Sequence, residues 1–504
     1  VPRRLLPLFA ACALTAIGAT EPDAATRRWW SHVRVLAADD MEGRDTGSDG
    51  YRRAAAYVAA RFEAAGLVPA GERGYYQPVP MHAVRLVPET STVELVRPSG
   101  QAVPWRWLRN IASNPRAGEE TFDQPLGFTG WETPADMVND RILVALAPPR
   151  LVPGVAGYAQ NPPRGYYGTL VIDSPAGPEP PRWPSSVSKV VRLADVALPS
   201  RQPGVASGFQ VNPADAEPLF EGSGHTYAGL RAMADAGQRL PSFPMATRLR
   251  GRLVSETIQL SSDNVIAVLR GSDPVLADEF VVVSAHLDGY GIGEPIDGDR
   301  IYNGAFDDAA YVATLIDLAE TLRDAKRRFK RSILFCIFTG EERGLLGSRY
   351  FVAHPTVPKA QVVADINLDT LRPIFPLRSL TTLALDRSTL GDAARQVGAE
   401  MGIEIRADLE PERQLVRRSD QWNFLEAGIP AIAFVFGYDR GSREEAVYRE
   451  WYARRYHSPA DDLDQPWDRS GAARFNAFFA RLVETVADAP VRPSMAQESA
   501  ATAR

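Results

Sequence analysis

The stretch TGEERGLLGS, Thr339–Ser348, directly follows the apolar run RSILFCIF, Arg331–Phe338. The run is continuous rather than alternating, which predicts a strand buried on both faces, as in a sheet covered by helices. In open α/β sheets the chemistry gathers at the carboxyl ends of the strands. Glu341 and Glu342 therefore fall at the mouth of an apolar sheet, where two adjacent carboxylates repel each other. A buried strand that ends on such a pair needs something to neutralise it.

Working outward, the segments on either side alternate between strand and helix. Strands are predicted over Phe280–Ala285, Ser332–Phe338, Val362–Leu368 and Ile429–Phe436. Helices are predicted over Asp307–Leu322, Gly344–Val352, Thr389–Met401 and Ser470–Ala487. This rhythm predicts an α/β fold with a mixed, largely parallel sheet flanked by helices. Upstream, a helix over Tyr51–Ala65 has Ser48 as its N-cap and Gly66 as its stop. Residues 27–100 read as the first part of the same domain. From about 101 to 250 prolines and glycines become dense, with short β-like runs such as RILVALA and YGTLVID between them. That texture predicts an inserted, mainly β domain. The main domain then resumes over 251–490, and 491–504 reads as a disordered tail.

The chain has 504 residues, 45% of them hydrophobic, which allows one large core and a second domain. A net charge of -6, with no basic tract, argues against nucleic acid as a partner. Residues 1–19 carry Arg3 and Arg4 before an apolar stretch too short for a comfortable membrane span, and so read as an export signal. Lipid attachment through Cys12 is disfavoured because the apolar run continues past it. The expectation is an exported protein, periplasmic or secreted, with no membrane span once the signal is removed. Cys336, inside the predicted strand, would then be its one cysteine, a small buried hydrophobe.

Five segments place acids or imidazoles at strand ends: His286 and Asp288, Asp307 and Asp308, Glu341 and Glu342, Asp369, and His457. If the strand ends converge, several carboxylates and two imidazoles share one site. Divalent cations would relieve their repulsion, and imidazole with carboxylate is a donor set that zinc accepts. One glutamate of the pair could then bind metal while its neighbour moves protons. Each fragment alone says little; their joint order carries the specificity.

That order resembles a known family. HLDGYG (286–291), NGAFDDAA (303–310), TGEERGLLGS, INLDT (366–370) and YHSPADD (456–462), with RRSDQWNFLEAGIPAI (417–432) before the last, are similar to the di-zinc aminopeptidase family. Glutamate carboxypeptidase and the transferrin receptor ectodomain belong to the same family. The resemblance implies a zinc exopeptidase-like fold, with 101–250 where members carry a protease-associated domain. It also implies two Zn2+ ions: His286 and Asp369 on one, Glu342 and His457 on the other, Asp307 bridging. The residues leave cobalt and manganese open as alternatives. Glu341 is implied as general base and acid, working on a metal-bridging hydroxide. Asp288 is implied to orient His286 by accepting its second ring N–H, and the Asp307–Asp308 peptide bond to be cis. The implied activity is removal of N-terminal residues from peptides. The alternatives are a carboxypeptidase or dipeptidase, with Arg372 or Arg417–Arg418 on a substrate carboxylate, and a non-catalytic receptor-like domain. Tyr311 stands where many members have glycine, so local packing should differ there.

Overall fold

The computed structural model describes residues 24–134, 137–147, 166–175, 182–185, 188–200, 207–369 and 372–496. The predicted signal at 1–19 and residues 497–504 of the predicted tail lie outside them.

The central sheet takes the spatial order Tyr76–Leu86, Phe243–Leu269, Ser332–Phe338, Phe280–His286, Val362–Asn367, Ala431–Phe436, Ser379–Leu383, Glu404–Ala407. Phe280–His286 lies parallel to both of its neighbours, and the antiparallel pairings fall toward the edges. The sheet is mixed, with a parallel centre, as the strand-helix rhythm predicts. Both faces are covered, which explains the unbroken apolar runs. Val281, Val283, Ile333 and Phe335 pack with Phe62, Leu315 and Phe478 of the helices Asp49–Ala64, Ala310–Asp324 and Arg469–Asp488. Val282, Leu334 and Cys336 face the other way, toward Phe351 and Phe424. Among the described residues no helix is long and apolar enough to cross a membrane.

A second core gathers Leu95, Phe122, Phe128, Val144, Leu170, Phe209 and Leu249. It draws on strands of the predicted β insert, and it begins upstream of residue 101, because Val93 already packs in it. One 27-residue strand, Phe243–Leu269, ties the two cores together. Its first half pairs with Gly118–Phe128, its second with Tyr76–Leu86 and Ser332–Phe338. The insert's strand Lys189–Leu193 pairs with Tyr76–Leu86 as well.

Two expectations fail. The helix predicted from Asp307 starts at Ala310, since Asp307 (φ -122°, ψ 80°) and Asp308 (φ -134°, ψ 29°) are not helical. The predicted tail is ordered as far as residue 496. Thr389 donates to the Ser494 carbonyl at 3.0 Å, and Ala496 to the Arg387 carbonyl at 2.8 Å. These bonds hold residues that a composition argument assigns to solvent.

A buried carboxyl makes stability depend on pH. Asp365 is buried in the strand Val362–Asn367; Ser284 Oγ donates to it at 2.7 Å, and burial pushes its pKa well above the usual carboxylate range. The folded chain therefore keeps a proton that the unfolded chain sheds, and this contribution to stability fades as pH rises above the unfolded value near 4. Asp365→Asn removes that titration. In urea unfolding it should gain stability relative to the parent at pH 8 compared with pH 5; an equal difference at both pH values contradicts it.

Candidate metal centre

Phe280–His286 delivers His286 at the sheet's carboxyl edge. Val362–Asn367 leads to Asp369, and Ser332–Phe338 leads to Glu341 and Glu342. The turn after Phe338 is fixed by Asn264, which accepts from Thr339 N at 3.0 Å and donates to the Gly347 carbonyl at 3.0 Å. A Cβ on Gly347 would lie 2.3 Å from the Thr339 carbonyl oxygen, so the glycine at this point of TGEERGLLGS is required.

Asp307 reaches the same place from a loop. The Asp307–Asp308 peptide bond is cis. Asp461 holds the loop, its carboxylate accepting from Phe306 N and Asp307 N, both at 3.0 Å. Gln465 donates to Asp461 in turn, and Trp451 Nε1 donates to Gln465 at 2.8 Å. Burial pushes Asp461 up to about 6. Arg44, fully buried, donates to the carbonyls of Leu36, Leu287, Asn303 and Gly304 at 2.6–2.9 Å, which joins the N-terminal segment to the His286 and Asp307 loops.

Two triads result, and they share Asp307: His286, Asp307 and Asp369, and Asp307, Glu342 and His457, with the ligand-capable atoms of each within 4.8 Å of one another. His286 Nε2 lies 3.3 Å from Asp307 Oδ1 and 3.8 Å from Asp369 Oδ1. His457 Nε2 lies 3.2 Å from Asp307 Oδ2 and 3.3 Å from Glu342 Oε2. Glu341 stands beside them, Oε2 3.9 Å from His286 Nε2. The structure thus brings all five residues singled out as ligands, and Glu341, into one cluster.

Asp288 differs from its expected part. His286 Nδ1 contacts the main-chain carbonyl of Asp288 at 3.0 Å, while the Asp288 carboxylate is 3.9 Å away. The carboxylate is committed to Thr46 Oγ1 at 2.8 Å and Glu341 N at 3.0 Å. It positions the backbone of Glu341 rather than the imidazole.

The electrostatics follow from burial and neighbours. Burial, then repulsion from Asp369, Glu342 and Asp420, raises Glu341 well above the carboxylate range despite His286. Burial and Asp307 do the same to Glu342. Burial also works to raise Asp307, but Arg372 and the two imidazoles hold it well below. Arg372 is buried, not a surface residue: Nη2 sits 3.4 Å from Asp307 Oδ2, and the guanidinium lies over Trp451 and Tyr456. Arg418 Nη2 contacts the Tyr456 hydroxyl at 3.4 Å, whereas Arg417 lies exposed against Trp422. Tyr311 is buried edge-on to Phe475.

Sequence reasoning missed Asp461, Arg44 and the buried role of Arg372. Asp461 had a signal, since it lies in YHSPADD four residues beyond His457. For Arg372 the partners that bury it, Asp307, Trp451 and Tyr456 among them, lie far along the chain.

Residues 264–483 match the profile of peptidase family M28. That segment belongs to this family. Among curated relatives of the M28 segment, a probable glutamate carboxypeptidase of Arabidopsis thaliana is 28% identical over 58% of this chain and 41% of its own length. A probable zinc metalloprotease of Pyrenophora tritici-repentis is 27% identical over 46% of this chain and 58% of its own. The chain therefore spans about half the length of these relatives. Among solved structures, an aminopeptidase from Aneurinibacillus sp. strain AM-1 superimposes with a TM-score of 0.58 at 15% identity, covering 94% of this chain and 96% of that one. The likeness in fold to that structure thus extends over nearly the whole chain, beyond the matched segment.

Proposed function

We propose that the chain is an exported di-zinc aminopeptidase that removes N-terminal residues from peptides. The observation that carries this reading is the pair of His–carboxylate triads sharing Asp307. The donor atoms fit two metal ions. His286 Nε2, Asp307 Oδ2 and Glu342 Oε1 are buried and have no hydrogen-bond partner among the described residues. Buried polar atoms that lack a hydrogen bond are costly unless a cation completes them, and imidazole nitrogen with carboxylate oxygen suits zinc. His286 and Asp369 would hold one ion and Glu342 and His457 the other, with Asp307 between them. What divalent ions supply at such a centre is a water of lowered pKa and polarisation of the scissile carbonyl.

The chain's own residues do the rest. Glu341 takes the proton from the attacking water and returns it to the departing amine. Its position 3.9 Å from His286 Nε2, outside both triads, leaves its carboxylate free for both transfers. Asp288 and Thr46 hold the backbone of Glu341, and Arg372 balances the charge of Asp307. The pocket, about 210 Å³ with its open mouth included, is lined by Tyr290, Tyr302, Asp307, Glu342, His457 and Asp461 among others.

The carboxypeptidase alternative has a relative's name behind it but loses its expected arginine fork. Arg372 faces Asp307 and Arg418 faces Tyr456. The receptor-like alternative expects missing ligands, whereas all five are gathered here. Metal analysis with a panel of aminoacyl-nitroanilides and their N-blocked partners tests the reading. Two zinc equivalents and hydrolysis of the free amines alone are expected; rapid cleavage of the blocked substrates overturns it. Asp461→Asn, which replaces one acceptor oxygen of the Asp307 loop by an amide, should weaken metal binding by about 10–100-fold in metal-buffered titrations. Unchanged affinity would remove Asp461 from the support of the centre.

A further inference from the structure

The inserted β region does more than pack against the M28 segment. Its strand Lys189–Leu193 is hydrogen-bonded to Tyr76–Leu86 in register, Lys189 opposite Arg85 and Leu193 opposite Met81, and so is fixed to the central sheet. A second segment, through Arg116, lies alongside, with Ala117 donating to the Pro199 carbonyl at 3.2 Å. Between these segments and the metal centre runs a groove of about 830 Å³, its open mouth included. Arg116, Lys189 and Arg192 of the insert line it together with Arg343 and Glu342. Glu342 also lines the pocket at the metal centre, so the groove and the site share a wall.

The charge of this groove is unbalanced. Lys189 Nζ and Arg343 Nη2 grip the two oxygens of a single carboxylate, Asp45, at 2.6 and 2.7 Å. Neither Arg116 nor Arg192 makes an ion pair among the described residues, and Arg192 donates to the adjacent Val191 carbonyl at 3.1 Å. Among the described residues Glu342 is the one acid lining the groove, and it belongs to the triad with Asp307 and His457. Four cations therefore face two carboxylates, both already committed. A cation surplus beside a reaction centre favours an anionic group on the substrate, and arginine pairs carboxylates in forked geometry.

We propose that this groove binds a carboxylate of the peptide substrate, so that the enzyme prefers anionic peptides. The insert would then select substrates while the M28 segment performs the chemistry. This rests on the peptidase reading above and narrows it to a substrate class. Arg116 and Arg192 are the selecting residues, because the charges of Lys189 and Arg343 are already turned to Asp45.

The test compares kcat/KM of the zinc-loaded full chain on four peptides with the same free N-terminal residue. These are Leu-Ala-Ala amide, Leu-Ala-Ala with a free C-terminus, Leu-Glu-Ala amide and Leu-Ala-Glu amide. The wild type should prefer at least one carboxylate-bearing peptide to the neutral amide by about 10–100-fold, the range expected for hydrogen bonds to a charged group. Which peptide wins tells a terminal carboxylate from a side-chain one. In the double variant Arg116→Gln/Arg192→Gln the preference should fall toward one, whereas Arg116→Lys/Arg192→Lys should keep part of it. The preference of the wild type should also shrink as salt rises. Equal turnover of all four peptides by the wild type, or an undiminished preference in the glutamine variant, overturns the groove while leaving the peptidase reading intact. Binding of the same peptides to the zinc-loaded Glu341→Gln protein gives a second readout. Selective binding of anionic peptides without turnover by the wild type would support the groove and defeat the peptidase reading.

Discussion

Glu341→Gln is expected to keep both metal ions and to lose about 10²–10⁴-fold in kcat. Glu341 belongs to neither triad, so its side chain can change without removing a ligand. Its carboxylate nonetheless stands 3.9 Å from His286, beside the point where both triads meet. Glutamine preserves shape and hydrogen bonding but cannot accept a proton from water. The amide is close in size to the carboxyl it replaces, so the melting temperature should stay near the parent's. Metal content, kcat and thermal unfolding measured on one preparation separate these effects. Turnover close to the parent's would refute the proton-transfer role, whereas loss of zinc would make Glu341 a ligand.

Asp307→Ala should act quite differently, removing metal and stability together. Asp307 is the one residue common to both triads, so its loss leaves each with two donors. It also removes the carboxylate 3.4 Å from the buried Arg372 guanidinium. Breaking a buried pair in this way costs about 3–5 kcal/mol. The loss of bound metal adds to this, since an ion at a thousand times its dissociation constant stabilises the folded state by about 4 kcal/mol. Chelator-treated parent protein should therefore lie between the holoprotein and the variant in denaturant unfolding. A variant that retains two zinc equivalents, or that unfolds with the parent, would sink the bridging assignment.

The legible part of the molecule is local. The runs Phe280–His286 and Ser332–Phe338 are apolar on both faces because helices cover both, and this shows in the sequence as an absence of alternation. Ser48 accepts from Tyr51 N and Gly66 has φ +75°, so the helix between them announces its own ends. The acids and imidazoles at strand ends could be named because sheet topology obliges such ends to converge. Helix Arg443–Arg454 was overlooked. Its Tyr448, Trp451 and Tyr452 are buried, but charged residues between them obscure the apolar face.

Contacts between distant segments were not legible. The Asp307 turn looks like the opening of a helix, yet Asp461, 154 residues away, takes its N–H groups and delays the helix to Ala310. The charge on Asp288 could be read, but not that its main-chain carbonyl would meet His286 while its carboxylate turned to Thr46 and Glu341. Arginines at 116, 192 and 372 look alike in a sequence; only packing buries one against Asp307 and sets two along a groove. The sequence by itself determined the alternation of strands and helices, the two-sided burial of the sheet and the inventory of groups at its carboxyl edge. Each of these depends on residues a few positions apart. The tertiary structure alone decided which donors face one another, which carboxylate the two triads share and which cations line the groove. Distances and burial across hundreds of residues control those outcomes, and no local pattern encodes them.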